Sequence, residues 1–252
     1  MFRFSVFFIF LFSLCSEARD IKGGYPDHFP PFSIAGEQVT GIIPDLLKAT
    51  NQYSEHAYYA GPYARKALRM LSEGQLDFLF DSQRWTKNAE QYYWSTPITL
   101  INDVLILPID ATAQFASVDD LIHTSRLSAK PMRLGTRYEY TYPTLDDAFA
   151  KGDLAKRNFY SDFAMLRALM KSEQTGIDAI VMSEFVYDFL ILNNPHLQHR
   201  FKKAGFIIDQ APYQFAFPKT NDGKLNMLIT NQALARLHAT GKIEEIIKRY
   251  AN

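Results

Sequence analysis

The chain alternates between short apolar runs and longer segments in which apolar residues recur at helical spacing. The runs 76–80, 177–182 and 213–217 are short and almost continuously apolar, which is typical of buried strands. The segments that begin at Pro44 and at Ser161 place apolar residues three and four positions apart, which predicts amphipathic helices. This alternation of strands and helices favours an α/β protein with mostly parallel sheets.

Hydroxyl residues precede several of the predicted helices. Ser117 and Thr144 are each followed three positions later by an aspartate, which is the spacing of a capping box. Ser161 precedes another predicted helix, whose first free N–H groups can donate to its hydroxyl oxygen. We therefore expect all three residues to cap helices.

One combination of helix, turn and strand occurs twice. Leu71–Phe80 and Met170–Val181 each contain a helix end, a polar turn with glycine, and then an aspartate that leads into an apolar strand. The repetition predicts two similar α/β lobes, each with its own sheet; the alternative is that any helix–turn–strand unit has this form. The two aspartates, Asp77 and Asp178, are predicted to be structural.

The first eighteen residues have the form of a secretory leader. Arg3 supplies a positive charge, and residues 6–14 form an apolar run that is too short to span a bilayer. We predict a signal peptide over residues 1–18 with cleavage after Ala18, and a membrane anchor is the alternative. The mature protein is expected in the periplasm.

Composition excludes several classes of function. The sequence contains 27 basic and 27 acidic residues, so no excess of charge favours nucleic acid or an anionic membrane as a partner. Its single cysteine, Cys15, lies in the predicted leader, so the mature chain has no disulfide, thiolate nucleophile or cysteine metal ligand. The six histidines have no metal-binding spacing, and we expect neither a metal nor a cofactor.

Several short motifs follow one another along the mature chain. They are Pro30-Pro31-Phe32, Gly41 to Leu46, Gly74 to Asp77, Thr86 with Trp94 to Ile98, Leu134-Gly135-Thr136, Gly176 to Ala179, Phe215 to Lys219, and the closing stretch Asn231 to Tyr250. In this order they resemble the motifs of the bacterial extracellular solute-binding proteins of family 3. Each motif alone is weak, but their order across nearly all of the mature chain is specific.

The resemblance implies the type II periplasmic binding protein fold, in which two α/β lobes are joined by a two-segment hinge. The first lobe is expected to combine residues 19–105 and 212–252, and the second to span residues 106–211. A small molecule is expected to bind in the cleft between the lobes, which close over it by a hinge motion. The implied partners are an ABC permease or a membrane sensor, and we expect a monomer.

Two positions depart from the amino-acid-binding pattern that the resemblance implies. Where an arginine for the ligand carboxylate is implied, counting from Thr86, this chain has Ala89. Where an aspartate for the ligand ammonium group is implied, counting from Asp178, this chain has Ser183, followed by Glu184. A small polar solute is therefore predicted, without a commitment to an amino acid.

Three arginines are candidate ligand contacts. Arg84 lies in the loop after the strand 76–80, where a guanidinium can reach the cleft; the alternatives are exposure to solvent or an ion pair with Asp81. Arg137 follows the predicted Gly-Thr turn, and Arg65 opens a helix near the cleft. Convergence of two of these arginines would favour an anionic solute.

The other predicted contacts are aromatic side chains, as apolar walls of the cleft, and polar groups at turns. They are Tyr25, Phe29, Asp81, Ser82, Trp85, Gly135, Thr136, Ser183 and Glu184. Thr136 and Ser183 are expected at turns into helices, where hydroxyls and free N–H groups favour anions. Ser183 can equally be a helix cap.

An enzyme on the same scaffold is the alternative function, because cyclohexadienyl dehydratases share the fold. Glu184 is then the candidate general acid. The sequence contains no recognisable nucleophile–base pair, no HExxH motif and no phosphate-binding loop. We therefore predict a binding protein without catalytic residues.

Overall fold

Two α/β lobes share a pair of crossing strands. The computed structural model describes residues 19–26, 29–63, 66–138 and 140–251. The predicted signal peptide and Arg65 lie outside these described residues.

The helices and strands alternate along most of the chain, as predicted. The strands are β1 (Asp20–Tyr25), β2 (Ala57–Pro62), β3 (Phe78–Asp81), β4 (Tyr92–Trp94), β5 (Thr99–Pro108), β6 (Arg133–Arg137), β7 (Ala155–Phe159), β8 (Ala179–Ser183) and β9 (Phe201–Pro218). The α-helices are α1 (Ile42–Tyr53), α2 (Ala67–Ser72), α3 (Val118–Leu127), α4 (Asp146–Lys151), α5 (Asp162–Leu169), α6 (Ser172–Thr175), α7 (Glu184–Asn193), α8 (Asn221–Ala239) and α9 (Lys242–Ala251). Short 3₁₀ helices occupy Ala89–Gln91 and Pro195–Leu197.

The sheet is parallel within each lobe and antiparallel where the lobes join. Strand β1 pairs in parallel with β2 and β3, and β6 pairs in parallel with β7 and β8. Strand β9 is 18 residues long and pairs with β3 of the first lobe and with β5. Because β5 also pairs with β8 of the second lobe, the β5–β9 ribbon connects the two sheets.

The crossing ribbon contains an irregularity in its middle. The register runs from Thr99 opposite Tyr213 to Pro108 opposite Phe201, but it shifts on either side of Val104. Bulges of this kind bend a strand and increase its local twist. The ribbon is therefore kinked close to the predicted lobe boundaries, which cut β5 after residue 105 and β9 after residue 211.

The two predicted structural aspartates make the same contacts in their respective lobes. The Asp77 carboxylate accepts a hydrogen bond from the Lys22 backbone N–H at 2.9 Å, and the Asp77 N–H donates to the Lys22 carbonyl. The Asp178 carboxylate accepts from the Arg133 N–H at 2.7 Å, and the Asp178 N–H donates to the Arg133 carbonyl. Each pair joins one parallel strand to the start of the next, which confirms the predicted internal repeat.

The core of the first lobe is a cluster of aromatic rings. The Phe78 ring is fully buried, and its centroid lies 5.1 Å from that of Phe215 and 5.9 Å from that of Tyr58. Gly23 on β1 leaves room for this ring, because a Cβ atom at Gly23 would lie 2.1 Å from a Phe78 carbon atom. The glycine is therefore needed for the close approach of β1 to the core.

The predicted helix caps have different outcomes. Ser117 and Ser161 accept hydrogen bonds from the N–H groups of Asp120 and Ala164, which confirms both as caps of α3 and α5. The prediction for Thr144 is wrong, because the residue that precedes α4 is Leu145, which makes no side-chain cap. The Thr144 hydroxyl instead lies 3.4 Å from a guanidinium nitrogen of Arg84.

No helix among the residues that the structure describes has both the length and the apolar character needed to cross a bilayer.

We predict that Phe78→Ala lowers the free energy of unfolding by about 3–5 kcal/mol, because it removes a buried ring and leaves a cavity among its aromatic neighbours. Urea denaturation of the variant measures the loss. Tyr160→Ala is the control, since Tyr160 is 74% exposed and its removal should cost less than about 1 kcal/mol. Equal losses in the two variants would contradict the assignment of Phe78 to the core.

Candidate functional site

A cavity of about 510 Å³ lies between the lobes. Its lining includes the last residues of four parallel strands: Tyr25 of β1, Asp81 of β3, Arg137 of β6 and Ser183 of β8. The carboxyl ends of parallel strands meet at one edge of a sheet, so each lobe presents a pair of side chains to the other. The crossing strands complete the lining with Asp103 of β5 and Tyr213 of β9.

The cavity is rich in aromatic side chains and contains charges of both signs. Its aromatic residues are Tyr25, Phe29, Phe80, Trp85, Tyr140, Tyr142 and Tyr213, and its charged residues are Asp81, Lys87, Asp103, Arg137 and Asp162. Apolar walls with a few convergent polar groups are the usual composition of a small-molecule site.

Three residues of the lining have buried polar atoms without a hydrogen-bond partner among the described residues. These atoms are Nε and Nη1 of Arg137, Oγ of Ser183 and the phenolic oxygen of Tyr213. A buried donor or acceptor that stays unpaired costs free energy, and such groups are uncommon in folded proteins. Their convergence on one cavity makes it the candidate site for a ligand.

Arg137 is held in place by its neighbours in the second lobe. Its Nε lies 3.6 Å from a carboxylate oxygen of Asp162, and its guanidinium carbon lies 5.4 Å from the centroid of the Tyr140 ring. Its backbone N–H donates to the Tyr142 hydroxyl at 2.9 Å. The guanidinium is therefore oriented by contacts that leave Nε and Nη1 available for further hydrogen bonds.

The acidic groups of the cavity are in an unfavourable environment for a negative charge. Burial, together with the carboxylates of Asp209 and Asp162, raises the pKa of Asp103 to about 7. Burial also raises the pKa of Asp81, although the Ser82 N–H donates to its carboxylate at 2.7 Å. Strand register causes the proximity of Asp103 and Asp209, because the two residues are direct partners on β5 and β9.

The phenols that face these carboxylates stay neutral near neutral pH. Burial raises the pKa of Tyr142 and of Tyr213 above the ordinary value for tyrosine. The nearby carboxylates, Asp103 for Tyr142 and Asp81 for Tyr213, act in the same direction, because a second negative charge would be repelled. Both hydroxyls therefore keep their protons and can donate hydrogen bonds.

Six of the predicted ligand contacts lie together in the cavity lining. They are Tyr25, Phe29, Asp81, Trp85, Arg137 and Ser183. Ser183 directly precedes α7 but makes no side-chain cap there, so its hydroxyl is directed to the cavity rather than to the helix.

Arg84 lies at the contact between the lobes instead of in the cavity lining. Its Nε donates to a carboxylate oxygen of Asp209 at 2.5 Å, and the Asp209 side chain is only 5% exposed. Its ion-pair partner is therefore Asp209 rather than Asp81, while 42% of the Arg84 side chain is exposed to solvent. Ser82 is fully buried, and its hydroxyl oxygen accepts from the Arg84 N–H at 3.2 Å, so it fixes the loop that carries the arginine.

Three further predicted contacts have packing or ion-pairing roles. Gly135 lies against Ile180, and the Thr136 hydroxyl donates to Asn158 at 2.8 Å. Glu184 forms an ion pair with Lys203 at 2.7 Å, and the hydrogen bond from Lys203 lowers its pKa. Arg65 lies outside the described residues.

The sequence prediction missed Asp103 and Asp162. A signal for Asp103 was present, since it is the single acidic residue within the otherwise largely apolar segment 99–108. No comparable signal marked Asp162, because an acidic residue directly after a capping serine is common in the first turn of a helix. Within the described parts of the chain, no three or more histidine, cysteine or acidic residues are grouped as a metal site.

Solved structures with the same fold are numerous. A probable amino-acid ABC transporter extracellular-binding protein from Bacillus subtilis is 15% identical, with a TM-score of 0.74 over 92% of this chain and 97% of the other. A histidine kinase sensor domain with similarity to periplasmic binding proteins is 17% identical, with a TM-score of 0.73 over 93% and 96%. An ancestral amino-acid-binding protein, described as a precursor of cyclohexadienyl dehydratase, is 16% identical, with a TM-score of 0.68 over 92% and 95%.

At these identities the structural matches establish the fold alone, which is that of the type II periplasmic binding proteins. No curated protein matches the sequence significantly. The family model of the bacterial extracellular solute-binding proteins, family 3, matches residues 21–252. The members of this family are extracellular solute-binding proteins, which bind small molecules in the periplasm or outside the cell. The match spans almost the whole chain, and the protein belongs to the bacterial extracellular solute-binding proteins of family 3.

Proposed function

We propose that this protein binds a small polar solute in the cavity between its lobes and delivers it to an ABC permease or a membrane sensor. The observation that carries the proposal is the convergence of four strand ends, with unpartnered atoms of Arg137 and Ser183, on one cavity. Because the residues come from both lobes, a bound solute would bridge them and favour the closed arrangement.

The proposal includes a location and a domain organisation. Cleavage after Ala18 would release the mature chain into the periplasm as a monomer. The lobes would then comprise residues 19–105 with 212–252, and residues 106–211, moving about the kinked β5–β9 ribbon. Support comes from the register shifts in that ribbon, which lie beside the cavity residue Asp103.

Arg84, one of the arginines on which the prediction of an anionic solute was based, does not line the cavity. Because Arg84 is paired with Asp209, the positive charge of the described cavity lining comes from Arg137 and the exposed Lys87. Similar proteins are described as bound to arginine, to glutamine and to L-glutamate. Small solutes with amine, amide or carboxylate groups are therefore the first compounds to test.

The enzymatic alternative receives little support from Glu184. A general acid needs a carboxyl group that keeps its proton near neutral pH, usually through a raised pKa. The Lys203 ammonium and the Asn102 amide both donate hydrogen bonds to Glu184, which lowers its pKa. Glu184 is therefore charged and is better suited to an ion pair than to proton donation.

We expect at least one class of small polar solute to raise the melting temperature of the protein, because a ligand that binds only the folded state stabilises it by RT ln(1 + [L]/Kd). Differential scanning fluorimetry with amino acids, amines, di- and tricarboxylates and prephenate tests this. Consumption of the stabilising compound would establish an enzyme instead. For a solute with a micromolar Kd, a concentration about 1,000 times the Kd should stabilise the folded protein by about 4 kcal/mol. If no compound of the panel gives a stabilisation at that concentration, the proposal is contradicted.

We predict that Arg137→Gln weakens binding of a solute that carries a carboxylate or another acceptor by about 10- to 100-fold, because it removes a charged donor that faces the cavity. A purely cationic solute would instead bind more tightly to this variant, because a like charge is removed. Isothermal titration calorimetry measures the change. Arg157→Gln is the matched control, since Arg157 is an exposed arginine on the neighbouring strand β7 and is not part of the cavity lining. Equal affinities in the wild type and Arg137→Gln would show that the solute binds elsewhere.

We predict that Arg84→Gln shifts the protein towards an open arrangement, because the buried Asp209 carboxylate loses its counter-charge between the lobes. Small-angle X-ray scattering should show a larger radius of gyration without solute. Arg126→Gln breaks an ion pair with Asp153 inside the second lobe and should leave the radius unchanged. An unchanged radius in both variants would remove Arg84 from the closure mechanism.

A further inference from the structure

The charges of the cavity do not balance. Of its acidic residues, Asp162 faces the guanidinium of Arg137 at 3.6 Å. Lys87 is exposed at the cavity edge. Asp103 and Asp81 are partly buried, and no basic side chain among the described residues lies within ion-pair distance of either. Among the described residues, therefore, these two carboxylates of the cavity have no basic counter-ion.

The surroundings of Asp103 offer it further negative charge. The Asp209 carboxylate lies near Asp103 from β9, and the Asp162 carboxylate lies near it from the start of α5. The nearby Arg84 forms its ion pair with Asp209 rather than with Asp103. Arg137 and the phenols of Tyr140 and Tyr142 share the cavity with it.

The Asn102 amide donates a hydrogen bond to Glu184, which pairs with Lys203. Asn102 directly precedes Asp103, and successive side chains of a strand point to opposite faces, so this ion pair lies on the face of β5 opposite to Asp103. The Lys203 ammonium is therefore on the other side of the strand from Asp103 and is paired with Glu184.

Two independent observations indicate what compensates these charges. The Tyr213 side chain is 3% exposed, lines the cavity and has an unpartnered hydroxyl, which indicates a polar ligand. The lining also contains the rings of Tyr25, Trp85 and Tyr142, and aromatic faces attract organic cations. Because the described acidic residues form no metal cluster, a metal ion does not fit this arrangement.

We propose, on the basis of the solute-binding function above, that the ligand is an organic cation: a protonated amine or guanidinium group on an apolar or aromatic body. Its positive group meets Asp103, its charge is further attracted by Asp81, and its body packs among the aromatic rings. The solute thus supplies a compensating charge that the described residues do not supply.

The proposal has a characteristic dependence on pH. In the free protein the pKa of Asp103 is raised from 3.8 to about 7, so much of its carboxyl is protonated at mildly acidic pH. A cation requires the ionised form, so binding releases up to one proton, and the affinity falls by about 30-fold between pH 8.5 and pH 5.5. An anionic solute would show the opposite trend.

The same carboxylate should reduce the stability of the solute-free protein. The pKa of Asp103 is higher in the folded protein than in the unfolded chain, so the folded protein keeps the Asp103 proton at pH values where the unfolded chain has lost it. The folded state is therefore favoured by the protonated carboxyl at low pH, and this stabilisation is lost as pH rises from about 4 to about 7. Asp103→Asn should therefore raise the melting temperature at pH 8 and change it little at pH 4. If Asp103 had only a structural role, Asp103→Asn would instead lower the melting temperature at pH 8.

The test uses ligand pairs that share a body and differ in charge. Tyramine is compared with 3-(4-hydroxyphenyl)propionate, and agmatine with adipate, on the mature protein, by calorimetry at pH 5.5, 7 and 8.5 in buffers of different ionisation enthalpy. We expect the amines to bind, Asp103→Asn to weaken them by about 10- to 100-fold, and the variant to lose the pH dependence. Asp147→Asn, at an exposed position of α4, is the control and should bind as the wild type does.

The outcomes separate the two proposals. Binding of carboxylates or of zwitterionic amino acids without the amines would overturn the cation proposal and leave the solute-binding function intact. Amine binding that is unchanged in Asp103→Asn, or that does not vary with pH, would also overturn it. Failure of all four compounds to bind would overturn the cation proposal, whereas the solute-binding function falls only if the whole fluorimetry panel also gives no stabilisation.

Discussion

The pairing of β5 with β9 is the interaction on which the rest of the structure depends. These two strands pair with strands of both lobes and thereby join the two halves of the sheet. Their pairing brings Asp103 opposite Asp209, and the ion pair of Asp209 with Arg84 adds a side-chain contact from the first lobe. A single ribbon thus determines the architecture, the hinge and part of the electrostatics of the cavity.

The cavity follows from the direction of the strands around this ribbon. Parallel strands in both lobes end at the same cleft, so the side chains of their last residues converge there and can carry function. The cost is visible in the unpartnered polar atoms and in the raised pKa of Asp103. Sites that bind ligands commonly keep such locally unfavourable features, because a ligand relieves them.

Much of the fold was predictable from the sequence, because local patterns determine it. Apolar runs, capping serines and the repeated aspartates Asp77 and Asp178 each have contacts that a sequence pattern implies. The site was less predictable. Arg84 and its partner Asp209 are 125 positions apart in the sequence. The neighbours of Asp103 are determined by the register of β5 with β9, which the sequence pattern does not show. Thr144 was misassigned for the same reason, since its contact is with Arg84 of the other lobe.

The duplicated aspartate anchors have a consequence for how the chain folds. Each anchor joins a strand to the next parallel strand within one lobe, so each half of the sheet can begin to form from contacts of short or moderate sequence separation. The β5–β9 ribbon, in contrast, requires closure of a loop that contains the whole second lobe, and its entropic cost is correspondingly larger. We therefore expect the parallel strand sets β1–β3 and β6–β8 to acquire structure first, and the ribbon to pair afterwards together with the C-terminal part of the first lobe.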